Sequence, residues 1–302
     1  MGARKYIKKA LSIEQQLQFL AKQGLIIEDY EKASQVLSVI SYYRFSGYLL
    51  PFKTPHNHDS VRSFKGEVTF DQVWQLYQFD QELRLLVIDA IEKIEIAFRT
   101  AITNVTSVAF SPFWYTDNSI YKNDLFFSVV AQNVEQIIND KRELFIKHYY
   151  DNYTEPLYPP IWMIMETLSF GVCVKMFRGI KDLGIRQKIC ATFQQHPTIM
   201  ESWLQTLTYI RNICAHHSRL WNRWLVYAPI IPKNEAKKED LEKQSRRFIV
   251  VAYIIHQLLE KIAPQSLWKG RLFALLEDYE NFVKVQSMGF KIEWRSDSFW
   301  GP

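Results

Sequence analysis

The chain has 302 residues, 48% of them hydrophobic and 15% aromatic, which is enough apolar side chain to bury a sizeable core and excludes global disorder. Only 10 Gly and 11 Pro interrupt it, a balance that favours helices. The net charge of +5 suits a polyanionic ligand without demanding one. Three cysteines, Cys173, Cys190 and Cys214, form no CxxC pair, which argues against a disulfide frame or structural zinc and for a reducing, cytoplasmic compartment.

The N-terminal stretch MGARKYIKKALSIEQQ is basic but turns polar before any apolar core of signal-peptide length, and Tyr6 stands where N-myristoylation asks for Ser or Thr. Ser12 and Gln15 have the spacing of a capping box that opens a helix to about Lys22, closed by Gly24. A second helix begins near Asp29 and leads into SYYRFSGYLLPF (41–52), where Pro51 and the polar TPHNHDS end a first structural unit. The expected organisation is an N-terminal helical segment over 1–60 packed on a helical bundle over 61–302, as one continuous domain.

From Thr69 to about Val105 apolar residues recur mostly every three or four positions, which predicts one long amphipathic helix. Its other face carries Asp80, Glu82, Arg84, Asp89, Glu92, Lys93, Glu95 and Arg99, read as a solvated, ion-paired surface. One of its carboxylates is a candidate to hold Arg211 or His216 in place, with the exposed ion-pair network as the default. SPFWYTDN (111–118) reads as a loop, 122–148 as helical, and EPLYPP as a break. Further helices are expected over about 161–181, where Gly171 allows close packing or a bend, and over 185–194, 198–218 and 240–262. The tail Phe290 to Trp294 is the one place where a strand could pair locally. The longest apolar run, Phe248 to Leu259, is broken by His256 and Gln257 and is too short to span a bilayer, so no membrane association is expected.

The stretch WLQTLTYIRNICAHHSRLWNR (203–223) concentrates Arg211, Asn212, His216, His217 and Arg219, with the small Cys214 and Ala215 between them. On a continuous helix Asn212 and His216 stack one turn apart and Arg219 extends the same stripe. Arg211 lies about 100° from Asn212 and reaches in from the side. These residue types suit phosphodiester chemistry. A guanidinium offers a fork of donors to phosphate oxygens, and an imidazole can exchange a proton with a ribose 2′-hydroxyl or a departing 5′-oxygen. Asn can orient either partner, and no metal or other cofactor is required, since RNA brings its own nucleophile. The competing reading is a helix end whose basic residues merely favour the dipole. Zinc on Cys214, His216 and His217 is disfavoured, because spacings of one and two residues point the side chains apart.

RNICAH has the R-x4-H spacing of HEPN-superfamily ribonucleases, and RNICAHHSRLWNR resembles abortive-infection (Abi) proteins of the AbiD/AbiF-like kind. SYYRFSGYLLPF, FDQELRLLVIDAIEKIEIAFR (79–99), ETLSFG (166–171) and MGFKIEW (288–294) agree with it, so the resemblance spans nearly the whole chain. It implies an all-α fold, a HEPN-like four-helix bundle core with additional N- and C-terminal helices. It also implies a metal-independent endoribonuclease that arrests or kills an infected cell, with Arg211 and His216 as catalytic pair, Asn212 as the accompanying polar residue and His217 as a supporter. A single motif per chain implies a homodimer with a composite site. A toxic activity of this kind further implies a neutralising protein or structured RNA, as in toxin-antitoxin systems. The alternative is a non-catalytic RNA-binding or sensor module using the same cleft.

RNA contacts are also expected from His217 and Arg219. Arg44, among Tyr42, Tyr43, Phe45 and Tyr48, is a candidate for stacking on bases, against a reading of the rings as core and Arg44 as the partner of an acid. His-Asn-His at 56–58 sits in a Pro-bounded polar loop without the scaffold of a metal nuclease. No P-loop, dinucleotide fingerprint or Gly-x-Ser-x-Gly elbow is present.

Overall fold

Side-chain caps set where the first helices begin. Ser12 Oγ accepts from the Gln15 amide and the Gln15 side chain accepts from the Ser12 amide, the reciprocal box that opens α1 (Ile13–Lys22). Gly24, at φ 94°, ends it where a side chain would be strained. Asp29 caps α2 (Tyr30–Ile40) through the Lys32 amide. The computed structural model describes residues 9–54, 64–140 and 142–297. Tyr6 and the His-Asn-His stretch lie outside the described residues.

The fold is almost entirely helical, with thirteen α-helices among the described residues. The chain divides into two compact units, Met1–Leu83 with Leu275–Lys284, and Arg84–Ala274 with Val285–Pro302.

In the first unit, α1, α2 and α3 (Tyr42–Leu49) precede the start of the long helix α4 (Phe70–Ala109). Leu17, Leu20, Leu37, Phe45, Leu49 and Val73 are buried, and the Phe45 and Phe70 rings stack at 4.4 Å. Two short strands pair in parallel, β1 (Leu25–Ile26) with β2 (Val68–Thr69), a feature too brief to show as alternation in the sequence. Asp80 departs from the expected solvated face of α4. It is fully buried and accepts from the Tyr48 hydroxyl at 2.6 Å, as a buried carboxylate must find a donor.

The second unit holds the rest of α4, α5 (Asp124–Asp140), α6 (Leu144–Asn152), α7 (Ile161–Thr167), α8 (Phe170–Gly179), α9 (Leu183–Ala191), α10 (Pro197–Ala215), α11 (Lys238–Lys243), α12 (Phe248–Ile262) and the start of α13 (Trp268–Asp278). Arg84, also assigned to the polar face, is only 5% exposed, whereas Asp89 and Lys93 do form the expected surface pair at 2.9 Å. Phe98 of α4 is buried within 6.4 Å of the rings of Phe170, Phe177 and Phe193, the aromatic centre of this unit. Three helices meet on one carboxylate, where Glu201 of α10 pairs with Arg186 of α9 and lies 3.9 Å from Arg178 of α8.

Several predicted helices are divided. Residues 122–148 become α5 and α6, 161–181 become α7 and α8 with the break at Leu168–Ser169, and 240–262 become α11 and α12. Gly171 is not the close approach, since a Cβ there would sit an ordinary 3.5 Å from Thr208. That role falls to Gly179, where a Cβ would come within 2.8 Å of Phe126 and Tyr121. The 111–118 loop contains a short 3₁₀ turn at Trp114–Thr116, and the tail, where local strand pairing was open, forms no strand over 290–294 and a 3₁₀ turn at Trp294–Ser296. Among the described residues no helix is long and apolar enough to cross a membrane.

Candidate active site

α10 carries the motif, and it packs against α8, α9 and α12. Its buried side comprises Met200, Trp203, Leu204, Leu207, Ile210 and Ile213 at helical spacing. That leaves Asn212 and His216 exposed and Arg211 half-buried.

The helix ends at Ala215, three residues earlier than expected. His216 is the C-cap, its amide still bonded to the Asn212 carbonyl at 3.0 Å, so the one-turn stacking of Asn212 and His216 survives. His217 then adopts φ 54°. Its amide reaches Cys214 O at 3.0 Å, and the Ser218 amide reaches Ile213 O at 2.9 Å. This is a Schellman ending, with histidine at the left-handed position that glycine usually fills. The chain turns away there, so Arg219 does not extend the stripe. Cys214 is buried while His216 and His217 are exposed, so those three side chains do not converge as zinc ligands would.

The stripe is extended in the other direction. Tyr209 precedes Asn212 and His216 by three and seven residues on α10, so all three share one face. The loop after the helix returns to it, with Arg223 Nη1 donating to the Tyr209 hydroxyl at 3.3 Å and Arg223 Nε to the Arg219 carbonyl at 2.7 Å. The Tyr227 ring packs edge-on to Tyr209 at 5.6 Å. Tyr209 could have been found from its helical spacing, but Arg223 could not, because a turn delivers it. The same loop is fastened near the helix start, where Trp203 Nε1 donates to Ile230 O at 2.8 Å and the Ile230 amide to Ser202 Oγ at 2.9 Å.

Arg211 faces elsewhere. Five residues along a helix amount to about 140° of rotation, so Arg211 and His216 leave α10 in different directions. Arg211 Nε lies 3.8 Å from Glu95 Oε2 on α4. Glu95 is 12% exposed and also pairs with Arg99, whose guanidinium donates to the carbonyls of Met165 at 2.9 Å and Leu168 at 2.7 Å. Arg99 thus anchors the break between α7 and α8, and Glu95 hangs between two guanidiniums. In place of the exposed ion-pair network expected of these charges, Glu95 and Arg99 are largely buried and Glu95 holds Arg211. An open cleft of about 350 Å³ is lined by Ile88, Glu92, Glu95, Ile96, Arg99 and Arg211, and neither Asn212 nor His216 lines it.

Arg44 belongs to the first unit, in α3. Phe45 and Tyr48 beside it belong to the core, whereas Tyr43 is 89% exposed. Among the described residues no group of three His, Cys, Asp or Glu side chains is placed to hold a metal ion.

A family model described as Abi-like protein matches residues 35–222, more than half of the chain. The span includes Glu95, Arg99 and the whole of Arg211 to Arg219, and it stops short of the MGFKIEW tail block. No curated protein and no solved structure matches the chain.

Proposed function

The chain belongs to the Abi-like protein family, and we propose that it is a metal-independent endoribonuclease of the HEPN type, AbiD/AbiF-like, acting in abortive infection. The carrying observation is the exposed His216 imidazole, one turn from Asn212 at the end of α10, on the same helix as an Arg211 held by a largely buried carboxylate. Such an arrangement presents a proton carrier and a phosphate-binding fork on a rigid element.

In this reading His216 accepts the proton of a ribose 2′-hydroxyl. The freed oxygen attacks the adjacent phosphorus, the bond to the 5′-oxygen breaks, and that oxygen takes up a proton. The products are a 2′,3′-cyclic phosphate and a 5′-hydroxyl. Arg211 stabilises the extra negative charge at the pentacoordinate phosphorus, and Asn212 orients the imidazole or the phosphate. The rotation of about 140° between Arg211 and His216 favours a composite site, in which a second copy supplies the group that one chain turns away. A neutralising protein or structured RNA would restrain the activity until infection.

The test is expression of wild type beside His216→Ala and Arg211→Ala, with sequencing of cleaved RNA ends. Wild type is expected to arrest growth and to generate 2′,3′-cyclic phosphate or 3′-phosphate ends in the presence of EDTA, and both variants are expected to fold and be silent. Cleavage that needs added metal, or that survives in both variants, would refute the mechanism. One observation favours the second reading, a non-catalytic RNA-binding module: Arg211 is engaged by Glu95 in a cleft that His216 does not line. Stable binding of labelled RNA by wild type without any product would support it.

A further inference from the structure

Between Glu201 and Glu235 the chain has no acidic residue, yet it carries Arg211, His216, His217, Arg219, Arg223 and Lys233. The structure folds the later part of this acid-free stretch into an exposed surface against the start of α12. Trp224 is 62% exposed, and the Arg247 guanidinium lies over its ring at 4.9 Å from the centroid. Arg247 Nη1 is steered by Asn222 Oδ1 at 3.3 Å and Ser287 O at 3.4 Å. Arg246 Nη1 donates to the carbonyls of Leu225 at 3.2 Å and Val226 at 2.8 Å, and the Leu225 amide returns a bond to Arg246 O at 2.9 Å.

Arg223, Arg246 and Arg247 are therefore positioned by carbonyls, an amide oxygen and a phenol. Among the described residues none of the three pairs with a carboxylate, so their charge is directed but not neutralised. Each also keeps Nη2 uncommitted. A large indole left open to solvent among such cations is the combination that binds unpaired bases, with the ring stacking on a base and the guanidiniums taking the flanking phosphates.

We propose that Trp224, backed by Arg247 and flanked by Arg223 and Arg246, is a stacking platform for single-stranded RNA. The proposal rests on the reading of the α10 end as an RNA-cleaving site. Arg223 links the two, because it also donates to Tyr209 on the stripe of Asn212 and His216. The platform holds one unpaired base of the substrate while a neighbouring phosphodiester reaches His216. It favours single strands over duplex, since a paired base has no free face to offer.

The test uses the full chain and a short fluorescein-labelled RNA with 2′-O-methyl groups, which blocks 2′-oxygen attack and separates binding from cleavage. Trp224→Ala is expected to weaken binding by roughly ten- to a hundredfold, the loss of one stacked base, while Trp224→Phe regains most of it. A duplex of the same sequence is expected to bind weakly and indifferently to the substitution. Cleavage of the unmodified RNA is measured in parallel. If wild type binds through Trp224 but never cuts, the ribonuclease reading fails and the platform stands. If wild type cuts and Trp224→Ala binds as wild type does, the platform is overturned and the ribonuclease reading stands. Failure of wild type to bind the oligonucleotide, or a Trp224→Ala effect confined to self-association, also overturns it.

Discussion

Arg211 directs its Nε at Glu95 Oε2 from 3.8 Å, and through that carboxylate it is connected to Arg99 and the break between α7 and α8. The motif arginine is thus braced from α4, a helix far from it in sequence. A half-exposed arginine with no such brace would sample many rotamers, and order of this kind is what a phosphate-binding fork needs.

Glu95→Gln keeps the shape and removes the charge. If the end of α10 cleaves RNA as proposed, the substitution should lower the cleavage rate by roughly tenfold or more with little change in RNA affinity, because Arg211 is loosened but still present. It should also destabilise the fold by about 1–3 kcal/mol, because Arg99 loses its partner in a largely buried setting. Denaturant titration and single-turnover cleavage separate the two effects. An unchanged rate would show that the brace is purely structural.

A composite site predicts complementation. If each phosphate is served by Arg211 of one copy and His216 of the other, mixing Arg211→Ala with His216→Ala chains rebuilds one intact site per mixed dimer. Statistical exchange of the two silent variants should then restore about a quarter of wild-type activity. No recovery after verified exchange would place both side chains of one copy at the same phosphate.

His217 occupies a left-handed position at φ 54°, as the residue after the C-cap of α10. Glycine there removes the steric cost of a Cβ, so His217→Gly should stabilise the protein by about 0.5–1 kcal/mol and raise Tm by about 2 °C. His217→Val should lower Tm by more, since a β-branched side chain tolerates that backbone least. Should His217→Gly lose RNA binding while gaining stability, the strained histidine is kept for its ligand.

Burial pushes the thiols of Cys173 and Cys190 up to about 12. At pH 8 only about one in ten thousand would be thiolate. Both should resist iodoacetamide in the folded protein and react promptly in denaturant, as mass spectrometry of peptides can show. Fast labelling of the native protein would contradict the packing.

His256 is held below its ordinary range, chiefly by burial and secondarily by Lys269, against the opposing pull of Glu260 at 3.3 Å. A histidine whose folded pKa is depressed binds protons more readily when unfolded. Stability is therefore full above the unfolded value of about 6.5 and declines as pH falls toward the folded one. His256→Gln should flatten the fall in Tm as the pH drops below about 6.5. An identical slope in the variant would assign the acid sensitivity to other groups.

Helix starts were legible wherever a side chain makes the cap, as at Ser12 and Asp29, because capping is a local reaction between residues close in sequence. The break at Leu168–Ser169 is not, since apolar residues continue through it and its one mark, Gly171, lies two residues further on, and the break between Lys243 and Phe248 falls in the polar run 242–247, which reads equally as a solvated helix face. α13 buries Trp268, Leu272, Leu275 and Leu276 at helical spacing, but Gly270 in its first turn and the preceding APQ weaken its local signal. Asp80 and Arg84 look like surface by type, and only the tertiary fold shows them buried. At the site, Arg211, Asn212 and His216 could be picked out by residue type and spacing. The early end of α10 was hidden because histidine is an uncommon occupant of the left-handed turn. The link to Glu95 joins two distant helices, and no periodicity in either encodes it.

The fastening of Ile230 to Ser202 and Trp203 makes the segment after the motif a strap with both ends fixed. From Ser202 to His216 the helix rises only ~21 Å, while the return from His216 to Ile230 could span ~46 Å if drawn straight. The strap is therefore not taut, and it reverses through turns that include His217 and Asn222, the two positive-φ positions along that path. Surface loops ordinarily drift in length between relatives, but this one is pinned along its way. A deletion between Trp224 and Ile230 would be felt first where the strap is pinned midway, at Leu225 on Arg246, and next at Arg223, whose contact with Tyr209 lies on the face of α10 that carries His216.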